Sequence, residues 1–415
     1  MVAEILNVTE KAVFDNAIIN ADKHTHQPYA NSTFKNNDTI RIPIENEDVY
    51  TLPCGSFLYI EGRLLKKDGT VPTNTTFINN GILYLFDEIR YELGGKVIDR
   101  VRNPGMTTTM KGYASYNENE SKRLINSGWL PPALGAVKGV ALHTRNLIDT
   151  NGYFNVCIPL RMILGFGEDF RKIILNIRQE LVLVRSSTDN NALFCSATPA
   201  EEVDVHLDQI CWKIPHVSVA DAERLKLLRY VDRNLNMELS FRSWELHEYP
   251  LLNQSYSHNW TVKTTSQLEK PRFIIFGFQT DKGNDITKNK SVFDHCDLTN
   301  FKVHLGSTMY PYDNLNLDFD LSRFAVLYEM YVNFQQSYYG NVSEPLFDPK
   351  EFRTIAPLVI VDCSYQNEIV KSGSIDIRLE IQTKRNIPDK TAAYCLIIHD
   401  RVIRYNPSTN LVQEV

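Results

Sequence analysis

The apolar residues of this chain occur in short segments separated by turn-forming residues, and this spacing limits the possible folds most strongly. The segments are rich in Val, Ile, Leu, Phe and Tyr, and clusters of Asn, Asp, Gly, Pro and Ser lie between them. Strands of half-buried sheets have this pattern, whereas alternating βα units would show longer helical periods. The 20 Phe and 20 Tyr residues also suit pleated surfaces. The sequence therefore predicts a mainly β protein.

Strands are predicted throughout both halves of the chain. The predicted ranges are 39–44, 56–65, 81–93, 96–101, 153–160, 173–184 and 203–214 in the first half, and 237–244, 273–279, 301–305, 358–362, 374–382 and 392–398 in the second. The run Leu181-Val182-Leu183-Val184 is continuously apolar, which is typical of a strand that is buried on both faces. Residues 374–382 alternate apolar and polar side chains, which is typical of a strand with one solvated face.

Two segments predict helices by their spacing. Residues 218–233 begin with a capping-box-like Ser218 and Asp221 and carry an apolar face at helical intervals. Residues 322–339 follow the same rule and end before Gly340. A shorter helix is expected after Pro104, because proline is favoured in the first helical turn.

An internal repeat divides the chain in two. The turn at Gly94 and Gly95 in the first half matches the turn at Gly306 in the second, and each lies between two strand-like segments. Helical and strand-like segments then follow in the same order. We therefore predict two similar β-sandwich domains, residues 1–217 and 235–415, with a helical connector at 218–234.

Composition and charge exclude several classes of protein. The formal charge is −6, and the first twenty residues have no basic arm, which argues against a dedicated nucleic-acid binder. No basic segment followed by an apolar one begins the chain, and no run of 18 apolar residues occurs, so neither a signal peptide nor a membrane span is expected. The seven cysteines are scattered without a CxxC pair and are interpreted as free thiols in a reducing compartment.

Two segments, 158–190 and 360–406, carry a resemblance to a known family. With the repeat, they make the chain similar to double jelly-roll major capsid proteins (hexons), in particular those of Polinton-like and adintovirus-like elements. The resemblance implies two tandem eight-stranded antiparallel jelly-roll sandwiches with a few short helices in the connections. It implies a structural, non-enzymatic protein that trimerises into pseudo-hexagonal capsomers and assembles an icosahedral shell around a DNA genome.

The same resemblance implies partners and a location. The partners would be other copies of the chain, a penton protein and minor capsid proteins, without sequence-specific nucleic-acid binding. The protein would be part of the virion, assembled in the cytoplasm or nucleus of the host cell. Aromatic side chains supply interface area at low entropic cost, and the predicted contacts between copies are Tyr256, Trp260, Tyr310, Tyr312, Tyr338 and Tyr339.

The sequence offers few motifs that are typical of catalysis, phosphate binding or metal binding. No phosphate-binding GxxxxGK[ST] loop and no GxSxG motif occurs, and the segment 165–170 (GFGEDF) is interpreted as a turn. His24 and His26 are interpreted as loop residues rather than metal ligands, because no suitable acidic or histidine partner follows. We therefore predict no catalytic residue, no metal and no cofactor.

Two other functions are compatible with a double sandwich. A two-domain carbohydrate- or ligand-binding protein would need exposed aromatic and polar residues, for which Trp244 with Glu245 and Trp212 with Lys213 are the only hints. A β-sandwich glycosidase would need two facing carboxylates about 5–10 Å apart, which the sequence cannot pair.

Overall fold

The strands are grouped into two sandwiches that follow one another along the chain. The computed structural model describes residues 17–30, 33–45, 50–131, 147–265, 270–365 and 375–414. The strands of the first sandwich are β1 (Ile18–His26), β2 (Thr39–Ile44), β3 (Tyr50–Thr51), β4 (Phe57–Lys66), β5 (Thr75–Phe77), β6 (Phe86–Leu93), β7 (Lys96–Arg102), β8 (Tyr153–Pro159), β9 (Gln179–Arg185), β10 (Leu193–Cys195) and β11 (Val203–Val219). Those of the second are β12 (Met237–Tyr249), β13 (Ser257–Thr265), β14 (Lys270–Thr280), β15 (Leu298–Leu305), β16 (Thr308–Tyr310), β17 (Val359–Asp362), β18 (Ile375–Thr383), β19 (Thr391–Asn406) and β20 (Leu411–Glu414).

Helices occupy the connections between strands. They are α1 (Pro104–Ser115), α2 (Glu118–Arg123), α3 (Leu160–Ile163), α4 (Gly165–Asp169), α5 (Asp221–Asp232), α6 (Ala325–Tyr339) and α7 (Pro349–Ile355). Short 3-10 turns lie at Pro53–Gly55, Gly81–Leu85, Leu124–Ser127 and Asn190–Ala192. In the described part of the chain, no helix is both long enough and apolar enough to cross a membrane.

Both sandwiches have the same strand order. The two main sheets of the first sandwich are β1-β11-β4-β8 and β2-β9-β6-β7, and those of the second are β12-β19-β14-β17 and β13-β18-β15-β16. If the main strands of each half are numbered from one to eight, both halves give the orders 1-8-3-6 and 2-7-4-5. All of these pairings are antiparallel. This arrangement is an eight-stranded jelly roll of two Greek keys, so the predicted double jelly roll is confirmed.

Burial follows the strand positions that the sequence indicates. β9 lies between β2 and β6, and its residues Leu181, Val182 and Leu183 are fully buried. β2 alternates exposed and buried residues because only one of its faces meets the core. The apolar core is continuous through both sandwiches, so the two halves share buried surface as well as a covalent connection.

The connector helix differs from its prediction. α5 begins at Asp221 after Ala220, which provides no side-chain cap, so the predicted capping box is wrong. None of its residues is buried, and Leu225 and Leu228 are exposed. α5 does lie between the two sandwiches, but the domain limits at 217 and 234 stay a prediction.

Five other local predictions are corrected. Residues 81–85 form a 3-10 turn rather than the start of a strand, and residues 173–178 are irregular. α6 begins at residue 325 rather than 322, because Ser322 has a left-handed backbone conformation with φ +55°. β1 and β13 lie where loops were expected, because each forms a backbone ladder with a strand that is distant in sequence.

Candidate functional site: the junction between the sandwiches and the exposed loops

Charged side chains fill the junction between the two sandwiches. The first half contributes α1 and α4, and the second half contributes β12 and α6. α4 approaches β12 closely because it begins with Gly165, where any side chain would overlap the backbone of Arg242. Glu168 and Asp169, at the end of α4, therefore reach the second sandwich.

Arg242 and Asp169 form the most extensive ion pair of the junction. The Nη2 and Nε atoms of Arg242 donate to the two carboxylate oxygens of Asp169 at 2.6 and 2.8 Å. The backbone N–H of Arg242 donates to the same carboxylate at 2.9 Å, and its Nη1 donates to the carbonyl of Tyr338 at 2.6 Å. The guanidinium also lies 3.5 Å from the centre of the Tyr338 ring. Although burial disfavours its charge, the hydrogen bond to Asp169 raises the pKa of Arg242, so the guanidinium keeps its charge.

Lys111 and Glu168 form a second, more deeply buried pair. Lys111, on α1, is 3% exposed, and its Nζ lies 3.2 Å from Glu168. The Tyr338 and Tyr339 hydroxyls also donate to this carboxylate, at 2.8 and 2.6 Å. Burial lowers the pKa of Lys111, and the nearby Glu168 opposes this shift. Burial and the charge of Glu168 both raise the pKa values of the two tyrosines, which therefore remain hydrogen-bond donors.

Further hydrogen bonds extend the junction. The Ser243 hydroxyl donates to Asp99 at 2.6 Å, and the Tyr113 hydroxyl donates to the carbonyl of Ser291 at 2.8 Å. The backbone N–H of Leu175 donates to the Tyr405 hydroxyl at 3.2 Å. Each of these bonds joins one half to the other, and together they fix the two sandwiches as one body.

The glycines of the internal repeat lie in equivalent hairpins. Gly94 and Gly95 connect β6 to β7 and have φ values of +55° and +80°. Gly306 has φ +61° and begins the turn that connects β15 to β16. Both hairpins join the fourth and fifth main strands of their sandwich, which explains why the two sequences match.

The predicted contact residues fall into two groups. Tyr256 and Tyr312 are 66% and 80% exposed, and Tyr310 is half-buried. Trp260 and Tyr338 are buried inside the chain, where Trp260 packs against Tyr249. Tyr339 contacts Lys111 and Glu168. Trp260 and Tyr338 are thus largely covered within one copy and Tyr339 is half-buried, while a role of these three residues in contacts between copies stays a prediction. Tyr256, Tyr310 and Tyr312 stay predictions.

Residues considered for other functions also have defined places. His24 and His26 lie on β1 rather than in a loop, and their rings stack against that of His216. Within the described ranges, no group of three His, Cys, Asp or Glu side chains is arranged for a metal ion. Trp212 and Trp244 are 0% and 1% exposed, so neither offers its indole to a carbohydrate.

The comparison with known protein families agrees with the double jelly roll that the strand order indicates. Residues 75–403 match the family model of the double jelly roll-like domain, which covers most of the chain. This chain belongs to the double jelly roll-like domain family. No curated protein sequence matches it.

Solved structures of viruses share this double jelly-roll fold. The chain is similar to the Sputnik virophage structure with a TM-score of 0.64 and 7% identity, covering 99% of this chain and 91% of that chain. The PBCV-1 virus capsid gives a TM-score of 0.61 at 11% identity, with 98% of each chain covered. The mavirus major capsid protein gives a TM-score of 0.57 at 10% identity, covering 99% of this chain and 92% of that chain. At these identities, the matches establish the fold over nearly the whole chain.

Sequence reasoning missed the junction of this double jelly roll. Lys111, Glu168 and Arg242 are far apart in sequence, and no spacing rule connects them. The segment around Gly165 was interpreted as a turn, whereas it forms the short helix α4. The two glycines of that segment were the available signal, because closely spaced glycines often mark a close approach of two backbones.

Proposed function

We propose that this chain is a structural viral major capsid protein that forms a homotrimer and tiles an icosahedral shell around a DNA genome. The repeated strand order in the two halves of one chain carries this proposal. Three copies of two similar sandwiches give six similar units around a three-fold axis, which fits a hexagonal lattice. The capsid proteins described above, which match over nearly their whole length, support the same role.

The junction supports a rigid building block. Ion pairs and hydrogen bonds that are removed from water fix the angle between the two sandwiches. A shell subunit needs such a fixed angle, because an error in one copy is repeated at every lattice contact. We propose residues 1–217 and 235–415 as the two sandwiches and 218–234 as their connector.

Partners and location are part of the proposal. The partners are further copies of the chain, a penton protein and minor capsid proteins, and the finished protein resides in the virion after assembly in the host cell. A Polinton-like or adintovirus-like element is the proposed origin. In the trimer, the exposed Tyr256 and Tyr312 lie at contacts between copies.

Light scattering combined with negative-stain microscopy tests the proposal. We expect a mass near three times 47.7 kDa and particles with a pseudo-hexagonal outline. A monomer over a wide concentration range, with featureless particles, would contradict the capsid function and favour ligand-binding alternatives.

Substitution of the exposed tyrosines tests the assignment of the contacts. Tyr256→Asp and Tyr312→Asp should shift the trimer towards monomer and leave the circular dichroism spectrum unchanged, because both side chains lie outside the core. A trimer that is unaffected by both changes would assign the contacts to other loops.

A further inference from the structure

A cleft with three arginines lies at one end of the first sandwich. It has a volume of about 470 Å³, and its walls come from α2, α3, α4 and the residues that follow α6. Arg123, Arg161 and Arg171 line this cleft, which we call the arginine cleft. Its volume is within the range of about 300–1,000 Å³ that is usual for small-molecule sites.

Among the described residues, the three arginines of the cleft form no ion pair. In the part of the chain that the structure describes, none of the three guanidinium groups takes part in a salt bridge or a side-chain hydrogen bond. Many other arginines of this protein do form ion pairs, for example Arg63, which lies 3.1 Å from Asp208. A guanidinium presents five donors in a planar fork that matches oxyanions.

The carboxylates of the cleft do not neutralise these arginines. Glu168 lines the cleft, but it is already paired with Lys111 and accepts hydrogen bonds from two tyrosines. Glu120 accepts the backbone N–H of Asn117 in a capping box. Among the charged groups that line the cleft, the three arginines and Glu120 form no ion pair within the described part of the chain, which leaves an excess of two positive charges.

The charges of two of the arginines reach the interior of the cleft. The charges of Arg171 and Arg161 act on neighbouring groups: burial raises the pKa of Cys54, and Arg171 opposes this shift, while Arg161 does the same for the buried Tyr116. The positive charges of Arg161 and Arg171 therefore act on the interior of the cleft.

We propose that the arginine cleft binds the clustered phosphate groups of a small polyanion. Phosphates place several charges within a few ångströms, and guanidinium groups bind them in bidentate geometry. Acidic peptides match the cleft less well, because carboxylates on one side of an extended peptide are about 6.6 Å apart. All of the side chains that would bind the polyanion belong to one copy of the chain, so the site does not depend on trimer formation.

Titration with inorganic tripolyphosphate tests this proposal. The full chain is titrated at constant ionic strength, and binding is followed by calorimetry and by the shift in melting temperature. We expect one site per chain, and the double variant Arg161→Gln/Arg171→Gln should bind at least tenfold more weakly. Both side chains are exposed and unpaired, so the variant should fold normally.

A matched control separates the site from general ionic effects. Arg100→Gln/Arg224→Gln removes the same charge from exposed arginines outside the cleft, and it should bind within twofold of the original chain. Equal weakening in both double variants, or no binding at millimolar tripolyphosphate, would overturn the proposal. A hexaglutamate peptide that binds as tightly as tripolyphosphate would overturn the phosphate assignment.

Discussion

At the scale of single residues, the buried charges at the junction are stabilising only when each has its counter-charge and its hydrogen-bond partners. Lys111 is almost fully removed from water, and its charge is compensated by Glu168. An isolated buried charge costs several kcal/mol, whereas a paired one with satisfied hydrogen bonds costs much less. The Tyr338 and Tyr339 hydroxyls complete the set by donating to Glu168.

Glu168→Gln should therefore be strongly destabilising. The substitution leaves Lys111 buried without its counter-charge, and the free energy of unfolding should fall by about 3 kcal/mol, measured by urea denaturation. The double variant Lys111→Met/Glu168→Gln should recover part of this loss, because the buried charge is then absent. A loss below about 1 kcal/mol for the single variant would contradict the role of the pair.

Glu201 gives a residue-scale prediction of pH dependence. Its carboxylate accepts hydrogen bonds from the Thr75 hydroxyl at 2.7 Å and the Asn74 N–H at 3.1 Å, and it lies 3.1 Å from the Nζ of Lys66. Burial opposes ionisation, but the hydrogen bonds from Thr75 and Lys66 prevail and lower the pKa of Glu201 to about 2, from 4.5. Because the folded-state pKa is the lower one, the stabilisation is complete above pH 4.5 and is lost as the pH falls towards 2.

Glu201→Gln should thus destabilise the protein only where Glu201 is ionised. At neutral pH, we expect a loss of about 1–2 kcal/mol in the free energy of unfolding, and the difference from the original chain should shrink below pH 4.5. Glu202→Gln is the control, because Glu202 is exposed and forms a surface ion pair with Lys67, and it should have far less effect. A constant difference at all pH values would show that Glu201 acts through packing rather than charge.

At the scale of elements, the approach of α4 to β12 decides how the sandwiches meet. A helix and a strand from different sandwiches contact each other directly because Gly165 has no side chain. The approach brings Asp169 within reach of Arg242, so the position of one element determines whether an ion pair forms in another. Elsewhere the elements follow local rules: α7 begins after Asp348, whose side chain caps the helix.

Gly165→Ala tests this contact. The new Cβ would overlap the backbone carbonyl of Arg242, and backbone cannot move aside as a flexible side chain can. We expect a loss of about 3 kcal/mol in the free energy of unfolding. Gly283→Ala, at a position with no neighbour within 4 Å, should be tolerated. If the two variants are equally stable, the close approach does not hold the halves together.

At the scale of the whole molecule, the two sandwiches form one unit. Their apolar cores are continuous, and ion pairs and hydrogen bonds cross the junction at several points. The covalent connector, in contrast, buries none of its residues. The contacts of the junction, and not the peptide chain through α5, should therefore keep the halves together.

Cleavage of α5 tests this expectation. A protease site inserted into α5 should be cut readily, because the helix is exposed. After cleavage, the halves should co-elute in gel filtration and unfold in one thermal transition at nearly the same temperature as the uncut protein. Separation of the halves, or two resolved transitions, would show that the connector is required.

Features that depend on neighbouring residues could be predicted from the sequence alone. Alternating side chains specified strands such as β2 and β18, and Gly94 and Gly306 marked equivalent hairpins because only glycine adopts such turns without strain. The repeat and the family resemblance then led to the double jelly roll. These signals are local, or recur in order, and can therefore be recognised in one sequence.

Contacts between residues that are distant in sequence became apparent only in the tertiary structure. β1 is a strand because it pairs with β11, almost two hundred residues later, and its own exposed residues show no strand pattern. Trp260 and Tyr338 are buried by contacts with other elements, although both belong to the contacts between copies that the sequence predicts. Folding brings Lys111 into contact with Glu168, which is far from it in sequence. Within the described part of the chain, it brings no carboxylate into an ion pair with the three arginines of the arginine cleft. The charge and burial of such residues depend on these neighbours, and no local pattern encodes them.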